Sequence, residues 1–193
     1  DAARWTEFAW SDLAKCCDAR AECSTMTCPP GWTVDGTATG TLCVGSTCDW
    51  STGDRETCCD ENTCEAYDFG SGVVTDDAGG DGCTAGLVLN TTTDSSCTVK
   101  CNALTHVSGA GTVTCAGDAA SGAATTGEPI CASRALCSTI TCPASTHVAD
   151  GAASATLCIG ASCDAATGDL ATCCDARAAC SSNTCPPGWT ADG

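Results

Sequence analysis

Residues 16–36 read CCDARAECSTMTCPPGWTVDG, and residues 173–193 read CCDARAACSSNTCPPGWTADG. The two stretches are identical at 17 of 21 positions, so the chain shows the start of the same unit twice. Duplication of this kind is typical of tandem-repeat proteins, in which each unit contacts mainly its neighbours. We therefore expect these residues to be one window of a longer repetitive protein with a role in assembly, adhesion or scaffolding.

The amino-acid composition indicates a protein stabilised by disulfides. Cysteine contributes 22 of 193 residues, whereas only eight residues are aromatic (Trp 5, Tyr 1, Phe 2). Apolar burial alone gives such a chain marginal stability, and each disulfide typically adds about 2–4 kcal/mol by restricting the unfolded state. Disulfides persist in oxidising compartments, so we expect a secreted, extracellular or cell-surface protein.

The charge and hydropathy of the chain narrow its partners. The formal net charge is −17, from 24 acidic and 7 basic side chains. This excess of negative charge disfavours nucleic acid and anionic membranes and favours a solvated acidic surface, with cations or basic partners as alternatives. No apolar stretch approaches the ~20 residues that cross a bilayer, and the sequence starts at Asp1 without the charged-then-apolar pattern of a signal segment. We therefore expect a mature chain or fragment without a membrane span.

The cysteine spacing defines a repeat of about 43 residues. Six cysteines form each of two copies, and their successive intervals are 6, 5, 15, 5, 10 and 6, 5, 16, 5, 10. The two sets are Cys17, Cys23, Cys28, Cys43, Cys48 and Cys58, and Cys131, Cys137, Cys142, Cys158, Cys163 and Cys173. Six cysteines allow about 15 pairings, among which spacing does not choose, but we expect both repeats to share one pattern.

The repeats divide the chain into five predicted segments. Residues 1–16 form an N-terminal edge with a helix, 17–58 form the first repeat, and 131–173 form the second. Residues 59–130 begin a repeat that an unrelated β-rich stretch interrupts, and 174–193 begin a truncated third repeat. The interrupted segment carries six further cysteines, which are Cys59, Cys64, Cys83, Cys97, Cys101 and Cys115.

Local patterns predict small disulfide-rich modules in tandem, with short helices, short β-hairpins and little regular secondary structure. Helices are expected around residues 11–22, 53–60 and 167–178, because acidic residues favour the first turn of each and Ala, Leu, Arg or Lys are frequent in 11–22 and 167–178. Strands are expected between residues 84 and 131, where small apolar and polar residues alternate.

The adjacent cysteines suggest how modules are joined. Neighbouring side chains on a helix diverge by about 100°, so the two members of a pair are expected to bond different partners. One member would close its own repeat and the other would engage the next. Between the helices, TLCVG (41–45) and TLCIG (156–160) are candidate strands of a small hairpin, and CPPGWTVDG (28–36) predicts a turn.

The interrupting stretch resembles a known module. Residues 95–131 read SSCTVKCNALTHVSGAGTVTCAGDAASGAATTGEPIC and resemble the C-terminal part of a complement-control (sushi) module. The matching residues are Cys101, Gly109, Cys115 and Pro129-Ile130-Cys131. The resemblance implies bridges from Cys64 to Cys115 and from Cys101 to Cys131, which leaves Cys83 with Cys97.

The flanking repeats also have relatives. Their pattern, CCDARAxCSxxTCPPGWTxDG with TLCxGxxCDxxTGDxxTCCD, resembles cysteine-rich tandem repeats in large secreted proteins of dinoflagellates and related algae and protists. This resemblance implies an extracellular, multi-module architecture and supplies no catalytic residue.

Metal binding and catalysis are the main alternatives for these residues. Zinc would need the Cys-x4-Cys pairs, but zinc modules usually carry Cys-x2-Cys knuckles. Calcium has one weak candidate site, the acidic loop TDDAGGDG (75–82) with Asp76, Asp77 and Asp81. His106 and His147 are the only histidines, the residue type that most often acts as a general base, and neither belongs to a known catalytic motif. We expect no cofactor and no enzymatic activity.

Two further features fit an extracellular protein. Asn90-Thr91-Thr92 is an acceptor sequence for N-linked glycan, so covalently attached glycans are expected at Asn90. Trp32 and Trp189 recur at one repeat position, where packing between modules is favoured over sugar binding.

The sequence therefore predicts a non-enzymatic extracellular structural protein that self-associates into an elongated or filamentous assembly, such as a surface fibre, stalk or flagellar hair. The alternative is a secreted or cell-surface binding or adhesion module that recognises protein or glycan.

Overall fold

Cysteine side chains form most of the interior of this protein. The structure is a computed structural model that describes residues 17–178 and 184–190. Among these residues, 13 of the 20 buried apolar side chains are cysteines, and Leu89, Val99 and Val113 are the largest that are fully buried. The core is therefore built mainly from cross-links, as the low aromatic content predicts.

The regular elements are short. The described residues contain two five-residue α-helices, α1 (Asp54–Cys58) and α2 (Asp169–Cys173). They also contain seven strands: β1 (Trp32–Val34), β2 (Cys59–Glu61), β3 (Val73–Thr75), β4 (Ser96–Cys101), β5 (Ala110–Thr114), β6 (His147–Ala149) and β7 (Cys174–Ala176). Single 3-10 turns lie at Cys23–Thr25, Trp50–Thr52, Asp77–Gly79 and Cys137–Thr139.

The strands form three small sheets. β1 pairs with β2 and β6 pairs with β7, both in antiparallel orientation, and a third sheet has the order β3-β4-β5. The two ribbons have the same register, because Trp32 lies opposite Glu61 and His147 lies opposite Ala176. In each ribbon, the residue opposite the first residue of the first strand, Glu61 or Ala176, comes two positions after the second cysteine of an adjacent pair.

The chain divides into two compact units. The first comprises the described part of Asp1–Asp68 with Cys83–Cys97 and Thr112–Gly127. The second comprises Phe69–Gly82, Thr98–Gly111 and the described part of Glu128–Gly193. Each unit contains one cysteine-rich repeat with its own apolar cluster.

The two repeat cores use cysteines at equivalent positions. In the first repeat, Cys23, Cys43 and Cys58 are buried with Met26 and Ala38. In the second repeat, Cys137, Cys158 and Cys173 are buried, and the partly buried Ile140 and Ala153 pack against them. Because these clusters hold few large side chains, the bridges supply much of the packing.

The predicted fold class is confirmed, but the helices are shorter than predicted. Each helix ends at the first cysteine of an adjacent pair, and the second cysteine, Cys59 or Cys174, is extended with φ near −130°. Residues 17–22 are not helical either, and residues 11–16 of that predicted helix lie outside the described residues. A short helix is marginal on its own, and here strand pairing and disulfides compete with it successfully.

The strand predictions were correct in part. β4 and β5 lie in the stretch where alternation predicts strands, whereas β1, β2, β3, β6 and β7 were not predicted. The TLCVG and TLCIG segments form no hairpin. Each contributes one isolated bridge, Glu22 with Leu42 and Leu136 with Leu157.

No helix within residues 17–178 and 184–190 is long and apolar enough to span a bilayer.

Candidate functional site

Among residues 17–178 and 184–190, nine disulfides define the candidate site, which is the repeated cross-linked unit and its junction. They are Cys23–Cys58, Cys28–Cys59, Cys43–Cys48, Cys64–Cys115, Cys83–Cys97, Cys101–Cys131, Cys137–Cys173, Cys142–Cys174 and Cys158–Cys163. The two repeats share one connectivity. Within the interrupting stretch, the three pairs are those that the sushi resemblance implies.

The adjacent cysteines bond different partners. Cys58 bonds Cys23 and closes the first repeat, whereas Cys59, which begins the segment 59–130, bonds back to Cys28. One member therefore closes its own repeat and the other links that repeat to the following segment, as expected. Cys17 was assigned to the first repeat's bridges, but it is an exposed free thiol, and Cys59 takes its place.

Two bridges stack at the centre of each repeat. The Sγ atoms of Cys43 and Cys58, which belong to different disulfides, are 3.6 Å apart, and those of Cys158 and Cys173 are 3.7 Å apart. Each pair of sulfurs forms a cluster of three with the Sγ atom of Cys23 or Cys137. These two clusters are the only groups of three or more potential metal-ligand side chains among the described residues. All of them are committed to disulfides, whereas zinc binds the thiolate form.

A buried aspartate fixes the short disulfide loop of each repeat, which is closed by Cys43–Cys48 or by Cys158–Cys163. Asp54 is 1% exposed, and its carboxylate accepts hydrogen bonds from the backbone N–H groups of Val44 at 2.7 Å and Asp49 at 2.9 Å. Asp169 is 2% exposed and accepts the equivalent bonds from Ile159 at 2.7 Å and Asp164 at 3.0 Å. A buried carboxylate with these partners is satisfied and structural.

The hydrogen bonds also determine the ionisation of these carboxyls. The N–H groups of Asp49 and Val44 lower the pKa of Asp54 below 3.8, against the opposing effect of desolvation, and the charge of Arg20 adds to the lowering. For Asp169 the N–H groups of Asp164 and Ile159 lower the pKa, and Arg134 has the role of Arg20. Both carboxylates are therefore ionised at neutral pH.

An arginine reaches across the start of each repeat. The Arg20 guanidinium donates to the carbonyl oxygens of Cys43 and Leu42, the latter at 3.0 Å. Arg134 donates to the carbonyl oxygens of Cys158 and of Ala103, the latter at 3.2 Å. Because the guanidinium fork holds two carbonyls at once, it fixes the entry of the chain into the repeat.

One backbone junction occurs three times beside a disulfide. Opposite Trp32, His106 and His147 stand Glu61, Ser133 and Ala176, each two residues after a bonded cysteine. In every case the next backbone N–H donates across the junction, from Asn62 to Gly31 at 2.8 Å, from Arg134 to Thr105 at 2.9 Å and from Arg177 to Thr146 at 2.8 Å. The neighbouring bridges are Cys28–Cys59, Cys101–Cys131 and Cys142–Cys174.

The first junction is held further by Glu61. Its carboxylate accepts hydrogen bonds from the backbone N–H and hydroxyl groups of Thr92 and Thr93, including a bond of 2.8 Å from the Thr93 N–H. Desolvation raises the pKa of Glu61, but the hydrogen bonds from Thr92 and Thr93 outweigh it and lower the pKa to about 2. Glu61 is therefore anionic under all ordinary conditions.

The predicted glycan acceptor lies next to this contact. Asn90 is half-buried, and its side-chain amide donates to the Thr93 hydroxyl at 3.1 Å. Thr91 is 3% exposed and donates to the Gly31 carbonyl at 2.7 Å, while the hydroxyl of Thr92 binds Glu61. Glycan occupancy at Asn90 stays a prediction.

The two repeat-position tryptophans have different surroundings. Trp32 is half-buried, and the Arg55 guanidinium lies 4.9 Å from its ring centroid. Trp189 is 76% exposed. Both residues close the same turn, in which the backbone N–H of the tryptophan donates to a proline carbonyl. The distance is 3.1 Å from Trp32 to Pro29 and 3.0 Å from Trp189 to Pro186.

The histidines and acidic-loop aspartates have separate local partners. His106 and His147 each lie 2.8 Å, through Nδ1, from the hydroxyl of the preceding threonine, and both are part of a junction. Asp76 pairs with Lys100 at 3.1 Å, which lowers its pKa, and Asp77 accepts from Thr75 at 3.0 Å. With the exposed Asp81, these carboxylates form no cluster of ligand atoms in the part of the chain that the structure describes.

Sequence reasoning missed the aspartates and arginines that organise each repeat. Asp54 and Asp169 both stand four residues before the first cysteine of an adjacent pair. Arg20 stands three residues before Cys23, and Arg134 stands three residues before Cys137. That shared spacing was the available signal.

Comparison of the chain with protein-family models, with curated proteins and with solved structures gave no match.

Proposed function

We propose that the protein is a non-enzymatic extracellular structural protein whose disulfide-stapled modules build an elongated or filamentous assembly. The observation that carries this proposal is the threefold recurrence of one junction, with the same register and the same neighbouring disulfide. A connection that is repeated unchanged along a chain can be extended without limit, which is the property that a fibre requires.

The chemistry of the cross-links supports the extracellular location. In the part of the chain that the structure describes, nine disulfides join 18 cysteines, and such density persists in an oxidising compartment. The resemblance of the repeats to secreted multi-module proteins of algae and protists points in the same direction. The net charge of −17 favours a hydrated surface that does not precipitate.

Electron microscopy of native material and sedimentation velocity of the purified chain test this proposal. Under oxidising conditions we expect filaments with a constant axial repeat and a sedimentation coefficient that rises with protein concentration. Discrete particles in the native material, together with a single monomer boundary at all concentrations, would reject it.

A binding or adhesion module is the second candidate, and one groove favours it. The groove is open and is lined by Ser145, Thr146, His147, Val148, Ala176, Arg177 and Ala178. Arg177 is exposed there and makes one long hydrogen bond of 3.4 Å to the His147 carbonyl, so its guanidinium can reach an anionic partner. Binding of acidic glycans or peptides that is lost in Arg177→Ala, without self-association of the chain, would transfer support to this candidate.

A further inference from the structure

Two free thiols occupy positions that are bonded in both complete repeats. Cys17 begins the sequence Cys-Asp-Ala-Arg, which recurs at 174–177, where Cys174 bonds Cys142. Cys185 begins the sequence Cys-Pro-Pro-Gly-Trp-Thr, which recurs at 28–33, where Cys28 bonds Cys59. Each free thiol is thus the counterpart of one half of the same junction disulfide.

The segment that follows Cys185 already has the conformation of its bonded counterpart. The turn from Pro186 to Trp189 closes with an N–O distance of 3.0 Å, and Gly188 has φ +93°. In the first repeat the equivalent turn closes at 3.1 Å, and Gly31 has φ +82°. Because a positive φ favours glycine, the turn is encoded locally and does not need the partner strand to form.

The two segments lack the pairing that their counterparts have. Trp32 lies in β1 opposite β2, whereas no strand in the described part of the chain pairs with the segment around Trp189. Likewise Cys174–Ala176 is β7, whereas the equivalent residues from Cys17 are exposed and belong to no described sheet. Each segment therefore presents one side of an incomplete ribbon.

We propose that the Cys185–Thr190 segment of one molecule pairs with the Cys17–Arg20 segment of a second copy, closed by a disulfide between Cys185 and Cys17. By the register of the three existing junctions, Trp189 lies opposite Ala19, as His147 lies opposite Ala176. The Arg20 N–H donates to the Gly188 carbonyl, as the Asn62 N–H donates to Gly31. This inference rests on the proposed function, because it identifies the contact that links successive units.

The bond forms by oxidation of two thiols. The Cys17 and Cys185 thiols together lose two protons and two electrons, and one S–S bond forms. The oxidant is a low-molecular-weight disulfide such as oxidised glutathione, whose S–S bond breaks to give two thiols that take up the protons and electrons. Attack by one protein thiolate on the oxidant gives a mixed disulfide, which the second protein thiolate then resolves.

Complementation between two variants tests the proposal. In a chain with Cys16→Ser and Cys180→Ser, which leaves only these two free thiols, Cys17→Ser and Cys185→Ser are each expected to remain monomeric in a glutathione buffer. A mixture of the two variants should give at least tenfold more covalent dimer than either variant alone. Non-reducing peptide mapping should identify the Cys17–Cys185 disulfide in that dimer.

Three results would overturn the inference. These are covalent oligomers in either single variant, no dimer in the mixture, and an internal Cys17–Cys185 bridge in the monomer. Failure of this contact is distinguishable from failure of the proposed function. If native filaments form while Cys17→Ser and Cys185→Ser leave assembly unchanged, the linear assembly stands and the linking site is elsewhere. A Trp189→Ala variant tests the noncovalent pairing that precedes the bond. Removal of the side chain that lies opposite Ala19 in the proposed register should slow dimer formation in the mixture.

Discussion

The Asp169 carboxylate holds the disulfide loop that precedes it in the chain. Its oxygens accept from the Ile159 and Asp164 N–H groups and lie 3.2 Å from the Thr167 hydroxyl. Without this acceptor, the backbone N–H groups of Ile159, inside the Cys158–Cys163 loop, and of Asp164, directly after it, would lose their hydrogen-bond partner. An unpaired buried donor costs about 1–3 kcal/mol, which is comparable with the contribution of a disulfide.

Replacement of Asp169 by alanine should destabilise the second repeat. We expect a loss of about 2 kcal/mol in the free energy of unfolding, because buried N–H groups lose their acceptor. Chemical denaturation measured by near-ultraviolet circular dichroism gives this value. The matched control is Asp175→Ala, which removes an exposed carboxylate from the same repeat and should change stability by less than about 0.5 kcal/mol. Equal effects of the two substitutions would contradict the role of Asp169.

The Glu61 carboxylate makes the first junction sensitive to acid. Its folded-state pKa of about 2 lies below the ordinary value of 4.5, so its contribution to stability is fully present above pH 4.5. The contribution is lost as the pH falls from 4.5 towards 2. We expect Glu61→Gln to destabilise the protein at pH 7 by about 1 kcal/mol, and this difference should shrink progressively at pH 3.5 and pH 2.

Thermal unfolding at these pH values measures the effect. Glu65→Gln is the control, since Glu65 is exposed and should give no such pH dependence. A difference between wild type and Glu61→Gln that stays constant between pH 7 and pH 2 would show that the carboxylate does not act through its charge.

At the scale of elements, the adjacent cysteines mark a switch from helix to strand. α1 ends at Cys58 and β2 begins at Cys59, so the two side chains leave the backbone in different directions and reach Cys23 and Cys28. Five-residue helices gain little from propensity. Their ends are fixed by cross-links and by the pairing of β2 with β1 and of β7 with β6, and β1 follows the Pro-Pro-Gly-Trp turn.

That turn provides a test of the junction. Gly31 has φ +82°, and a Cβ placed on it would lie 2.2 Å from the Gly117 carbonyl oxygen. Gly31→Ala should therefore combine backbone strain with a steric clash and destabilise the protein by about 3 kcal/mol or more. Gly86→Ala is the matched control, because Gly86 has φ +79° with open space around it and should cost only the strain of about 1 kcal/mol. Denaturant titration compares the two, and equal losses would argue against the close approach.

The sequence predicted the repeats, the disulfide-rich class and the different partners of the adjacent cysteines. It did not predict where the helices end, because residues such as Cys59 and Ala176 follow helix-favouring neighbours and are extended only through pairing with distant strands. The roles of Asp54 and Arg20 were also invisible locally. Their partners are backbone groups 5 to 23 residues away, and only the folded loop brings them together.

At the scale of the whole molecule, an N-linked glycan is a second indicator, beside the disulfides, of the compartment in which the chain folds. Asn90 lies in an acceptor sequence whose Thr92 hydroxyl binds Glu61 in the folded chain. Glycan transfer takes place before folding is complete, so this hydrogen bond does not prevent it. We expect expression in a eukaryotic secretory pathway to add one N-linked glycan, which glycosidase treatment removes with a corresponding fall in mass.

Asn90→Gln should abolish that mass difference, and Asn102→Gln, outside any acceptor sequence, should retain it. An unglycosylated wild-type chain secreted with intact disulfides would contradict the prediction.

The stacked sulfurs of each repeat have a consequence for the order of reduction. Thiol–disulfide exchange requires a thiolate to approach a sulfur atom, and Cys23 and Cys58 are both 0% exposed. Cys48 and Cys28 are half-buried, so their bridges should react first with an external reductant. Once Cys43 is released, its thiolate lies 3.6 Å from the Cys58 sulfur and can attack the neighbouring bridge from inside the core. That attack forms a Cys43–Cys58 bond and releases Cys23 as a thiolate. Partial reduction should therefore produce rearranged isomers before open chains, and quenched peptide mapping should find Cys43–Cys58 among the earliest non-native pairs.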